Sequence, residues 1–430
     1  MKTAWRSATI FLAAAALVGC TPGSLETSPS PSPSEAATAR PTTETSPSPV
    51  MTPAPEAQPQ PVLLATLAAS DGLAIVDPDA ADPVLGVIPV GQAPWGVAAQ
   101  GAAAYVATAE GLAVVDLAAR TRAALVPYLH QPASVGFGEY RDGGLGIAVS
   151  PDGARVYVAV HRWPDPAWLE VYDVASGAFV ASADVGIRPF DVLADPGGAW
   201  VATVDHDSYT VTLIDPASPS TVVRTVEIAP FGNLGFSGWE KPHYAAITAD
   251  GRIALPYQGL VTVLLDPATG ATERVEATAN SHQHGVATAP DGRLVTSGTG
   301  AFGTATGSTN VSLLDPLTGA EQVIPLQRPH ETVAIWQGAD ASGGAGADAA
   351  APSTTATATP APAAPATAAT PTAAPSTAAA AAWSIVLAGG YTRDGWWDGL
   401  TVVDPSSGSV REVALAGRPQ HVIAATLPAD

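Results

Sequence analysis

Three histidines occupying matching places in successive repeats are the residues best suited to chemistry. They lie in KPHYAA (His243), HQHGVA (His284) and RPHETV (His330). Aligning the repeats on an approximate Pro-x-x-Val pattern puts one residue of each at a single structural position. In order these are Trp95, Leu145, Phe190, His243, His284, His330 and Gln420. Equivalent positions in a ring of repeats point at a common axis, so the three imidazoles are expected to converge. Three histidine ligands with an open fourth position suit zinc. Imidazole also suits copper or nickel, so the sequence leaves the metal open. Glu331, His282 and His421 are close in sequence and could supply a fourth ligand or a hydrogen-bond partner.

Other chemistries find less support. Calcium takes six or more oxygens, and Asp191 and Glu331 are the only acids adjoining the aligned positions. No Gly-x-Ser-x-Gly elbow marks a serine nucleophile. Asp205-His206-Asp207 reads as a solvated turn. A binding protein is therefore expected rather than an enzyme. A protein-interaction scaffold and, less favoured, a hydrolase are the alternatives.

The elements that must position these histidines are repeats. An apolar run ending in Asp, usually followed by a turn, recurs at Asp77, Asp116, Asp173, Asp215, Asp266, Asp315 and Asp404. Successive gaps are 39, 57, 42, 51, 49 and 89 residues. The last holds an Ala/Pro/Thr-rich stretch, 338–382, read as a loop insertion; without it the gap is 44 residues. Such spacing matches a four-stranded propeller blade. Asp and Pro begin the turn, Gly closes it, and alternating β-branched residues flank it as strands. An earlier strand-turn-strand unit, SPDGARVYVAV from Ser150, has weaker copies after Thr248 and Ala289. These units resemble the YVTN-type, lactonase-like propeller repeat family over residues 62–430 apart from the insertion. The resemblance implies an all-β, seven-bladed β-propeller, and makes any hydrolase lactonase-like.

Residues 62–91 hold only the later strands of a blade, and Pro419 to Leu427 supply the missing inner one. Closing the ring in one composite blade hides both open edges. Propeller topology then gathers aromatics on the face carrying the histidines: Trp95 and Phe190 at the mouth, with Trp163, Trp168, Tyr209, Tyr257, Trp396 and Trp397 on loops. That face is the expected site for a metal ion or a protein partner. The three histidines are also similar to the central histidines of propeller-type periplasmic zinc metallochaperones. A His/Asp-rich N-terminal arm like theirs is replaced here by a Pro/Ser/Thr-rich segment.

The N-terminus carries Lys2 and Arg6 before a short apolar stretch, too short to span a bilayer. Its end, Leu17-Val18-Gly19-Cys20, resembles a bacterial lipobox. This implies a signal peptide over residues 1–19 and a lipid on Cys20, the single cysteine. Residues 20–61 read as a disordered tether. The protein is thus expected outside the cytoplasm, anchored to the bacterial membrane, and monomeric. Acids outnumber bases 39 to 18, for a net charge of −21. Such a balance excludes nucleic acid as a partner, which would need a basic footprint.

Overall fold

The computed structural model describes residues 58–163, 166–257, 260–338, 382–389 and 396–429. The expected signal peptide (1–19), the expected lipidation site Cys20, and nearly all of the expected tether and of the 338–382 stretch lie outside the described residues. Seven four-stranded antiparallel sheets form a seven-bladed β-propeller. The first six blades run outward from inner strands Val97–Gln100, Gly143–Val149, Pro189–Ala194, Ala246–Ile247, Gln283–Thr288 and Thr332–Trp336. The seventh is composite: Pro419–Leu427 pairs with Gln60–Leu67, followed by Gly72–Val76 and Val84–Pro89. The first strand begins two residues before the expected boundary at 62. The insertion falls between the first and second strands of the sixth blade.

Each of the seven repeat aspartates ends or directly follows its blade's third strand and accepts a backbone N–H two or three residues on. The distances run from 2.8 to 3.0 Å. This local bond holds the turn to the outer strand independently of the rest of the fold. The core lies between blades rather than within one. Alternate strand residues such as Val106, Val115, Leu64 and Ile75 meet across the gap between the first and seventh blades. Leu255 and Val263 do the same against Ala202 and Leu213 of the third blade. Sheets with two apolar faces need neighbours on both sides, which only a closed ring provides.

Near the axis the inner strands are bulged. In the second, third, fifth and seventh blades the pairing register shifts around Leu145, Phe190, His284 and Gln420. A bulge opposes extra residues to one on the partner strand and re-aims a side chain; here it turns the aligned residue towards the channel. The partner strand supplies a hydroxyl at two of these bulges. Gly285 N–H donates to Ser297 Oγ at 3.1 Å, and His421 N–H donates to Thr66 Oγ1 at 3.1 Å. Thr66 donates onward to Trp95 O of the next blade, 2.6 Å away.

Glycine follows the aligned residue where blades crowd most. A Cβ on Gly285 would lie 2.6 Å from Glu331 O and 2.7 Å from Thr332 Cα, both in backbone that cannot yield cheaply. Gly285→Ala should therefore cost about 1–3 kcal/mol, read by denaturant titration. An unchanged midpoint would mean that the fifth and sixth blades are not in this contact.

Candidate metal centre

His243 precedes the short inner strand of the fourth blade, while His282 and His284 flank Gln283 at the start of the fifth. All three are buried, and one ligand nitrogen from each lies within 4.8 Å of the others. His284 Nε2 is 3.0 Å from His282 Nε2, a spacing close to that of two nitrogens on one tetrahedral ion. The His282 and His284 rings are perpendicular, at 88°, with centroids 4.2 Å apart. His243 stacks on His284 at 4.0 Å.

The surroundings of His243 favour the neutral imidazole, the form that ligates. Burial, then the neighbouring His284 and His206, push the His243 pKa well below its ordinary value. Glu331 Oε1 lies 2.8 Å from His284 Nδ1. A proton held there leaves Nε2 for the ion and fixes the ring. Glu139 Oε1 is 3.5 Å from His243 Nε2, and His243 Nδ1 is buried with no hydrogen-bond partner. Three buried histidine nitrogens with flanking carboxylates make a donor set that fits a divalent transition metal.

His330, expected as the third ligand, lies elsewhere. Its Nε2 is 2.8 Å from Thr401 Oγ1 and its ring meets Trp397 edge-on at 5.7 Å. Burial lowers its pKa to about 3. His282, expected only as an addition, takes its place in the group. His421 is also apart, with Nδ1 accepting the Val97 N–H at 3.3 Å and the ring stacked near Tyr244. Glu331 is present as the partner of His284.

The aromatic residues divide. Trp95 and Phe190 pack with Leu145 and plug the channel beside the histidines. Tyr209 and Tyr257 are buried, their hydroxyls donating to Gly235 O and Ile228 O of the long link between the third and fourth blades. Trp168 is buried under His130, with rings 3.9 Å apart. Trp163 and Trp396 are about half exposed, at 52% and 50%, and Trp397 is partly buried. The expected face is therefore a narrower rim, because several of its rings anchor the loops that carry the others.

Comparison with known proteins agrees on the fold. The LVIVD repeat matches residues 91–127 and 379–415. The chain is a repeat-built propeller. No curated protein matches it significantly. Among solved structures it resembles a functionally unknown protein from Desulfotomaculum acetoxidans, at 11% identity and TM-score 0.53, covering 86% of this chain and 99% of that one. It also resembles virginiamycin B lyase from Staphylococcus aureus, at 9% identity and TM-score 0.50, covering 84% and 89%. Dihydro-heme d1 dehydrogenase NirN aligns at 15% identity and TM-score 0.42, covering 82% of this chain. The propeller spans 53% of that protein's length. At such identities the likenesses to the Desulfotomaculum protein and to the lyase show the fold alone.

The propeller's histidines open into a cavity of about 380 Å³ that sequence reasoning did not find. Two long links fold over it: residues 127–142 bring Glu139 and Tyr140, and residues 228–245 bring Phe236, Trp239 and Lys241. Asp205-His206-Asp207, read as a solvated turn, is buried instead. Asp205 accepts the hydroxyls of Thr203, Thr210 and Thr212, at 2.7, 2.9 and 2.6 Å. Asp207 faces the cavity, accepting from Lys241 Nζ at 2.7 Å and from Arg188, with His206 Nδ1 at 2.9 Å. Lys241 is the only lysine beyond Lys2, and its rarity in an acidic chain was the available signal.

Proposed function

We propose that this propeller binds one transition-metal ion, zinc being favoured, through His243, His282 and His284, and works outside the cytoplasm on a lipid anchor at Cys20. The carrying observation is the buried group of three imidazoles whose ligand nitrogens lie within 4.8 Å of one another. Three histidine nitrogens would leave a tetrahedral ion one open position, and the cavity lined by the same histidines is where such an ion would meet a ligand. The YVTN-like repeats and the likeness of the histidines to those of propeller-type zinc metallochaperones support an envelope protein. The anchor rests on the lipobox-like Leu17-Val18-Gly19-Cys20 and on the Pro/Ser/Thr-rich stretch after it.

Elemental analysis of the purified chain should find about one transition-metal ion per molecule, and the chelator-stripped chain should take up one zinc. His243→Ala should end both. Protein that emerges metal-free and ignores added zinc would remove the reading. The anchor is checked separately: Cys20→Ser should release the protein from the membrane fraction.

A further inference from the structure

We propose that the cavity beside the histidines is a binding site for a small organic monoanion with a flat apolar body, an aromatic carboxylate by class. Its charged end would lie between the metal position and the Arg188–Lys241 pair, with its body against the aromatic rim. This rests on the metal reading above.

The first support is a pair of cations sharing one carboxylate. Lys241 and Arg188 converge on the single carboxylate of Asp207, and the Lys241 and Asp207 side chains are 6% and 2% exposed. One carboxylate neutralises one of the two. Burying a charge is costly unless it is paired, and a chain of net charge −21 has no general need of cations. Arg188 Nε is buried without a hydrogen-bond partner, so the guanidinium keeps a donor in reserve.

The second support is the place of these cations beside the proposed ion. Arg188, Lys241 and Asp207 line the same cavity as His243, His282 and His284, together with Glu139. A divalent ion on the histidines would add positive charge to that wall, so ion and anion should bind cooperatively.

Shape gives the third. A cavity of about 380 Å³ falls within the range for small-molecule sites. Phe236 and Trp239 stand at its mouth, more than half exposed at 58% and 59%, and Trp239 meets Phe302 edge-on at 5.0 Å. Tyr140 closes the other side, held under the Arg188 guanidinium 4.6 Å from its ring. Apolar walls with a few convergent charges select a body by stacking and its end by charge.

Calorimetry on the full chain tests this, with zinc content measured in the same samples and phenylacetate, phenylacetamide, acetate and inorganic phosphate as probes. Phenylacetate should bind the zinc-loaded protein at least about tenfold more tightly than the neutral amide or phosphate. Lys241→Met should weaken phenylacetate by about tenfold with zinc content unchanged. Trp239→Ala, at a rim position that is 59% exposed, should weaken phenylacetate but not acetate. Equal affinity for acid and amide, tighter binding of phosphate, or no binding to zinc-loaded protein would overturn the anion site alone. A chain without zinc that still separates acid from amide would overturn the metal reading and keep the pocket. One that takes neither zinc nor acid would overturn both.

Discussion

His282→Ala should lower zinc affinity by more than about a hundredfold, whereas His330→Ala should leave it unchanged; removing a direct ligand exceeds the ten- to hundredfold loss typical of a ligand's supporting partner. The two residues look interchangeable in sequence, and His330 matches the repeat pattern better. Their surroundings separate them. His282 is fixed by two backbone bonds of 2.8 Å, its N–H donating to Gly300 O and its carbonyl accepting from Thr299 N–H. This sets the ring perpendicular to His284, with the nitrogens 3.0 Å apart. His330 instead engages Thr401 in its own blade. Its loss should appear as lower stability, about 1–3 kcal/mol for a buried group whose partner is left unsatisfied. Competition against a chromophoric chelator reads affinity, and denaturant titration reads stability. Equal losses of zinc affinity in the two variants would mean that the centre spans three blades as the repeat pattern implied.

That contrast marks where sequence stops specifying the site. The blades were legible because each repeat aspartate makes its own turn within a few residues, and the composite seventh blade followed from counting strands at the two ends. Local bonds of this kind are visible as local patterns. The axial layer was legible too, as Trp95, Phe190, His243 and His284 do approach one another. The choice of His282 over His330 depends on the bulge between Gln283 and Val286 and on the two-residue inner strand of the fourth blade. A pattern that treats every blade alike cannot register either. The cavity wall was hidden for another reason. Asp205-His206-Asp207 looks hydrophilic in sequence and is buried because a link from the next blade folds across it. Tyr209 and Tyr257 are likewise spent on hydrogen bonds to that link rather than offered to a ligand.

Asp207 is where the cover over the site is pinned, and Asp207→Ala should be among the most destabilising single substitutions in the propeller. Its carboxylate joins three segments: the turn containing His206, the start of the third blade at Arg188, and the link carrying Lys241. Burial alone would raise its pKa, but the His206 contact and the two cations outweigh that and hold it below the usual carboxylate range. Alanine leaves both cations without a carboxylate in a place with little water, and breaking a buried pair in this way costs about 3–5 kcal/mol. Much of that cost is the stranded charge rather than a lost attraction. The double variant Asp207→Ala/Lys241→Met should therefore be more stable than Asp207→Ala alone, an interaction that a double-mutant cycle isolates. Because His206 meets His243 edge-on with ring centroids 4.4 Å apart, the single variant should also bind zinc more weakly although Asp207 touches no ligand directly. A single-variant loss below about 1 kcal/mol, or no recovery in the double variant, would place these cations in water and leave the cavity without its cover.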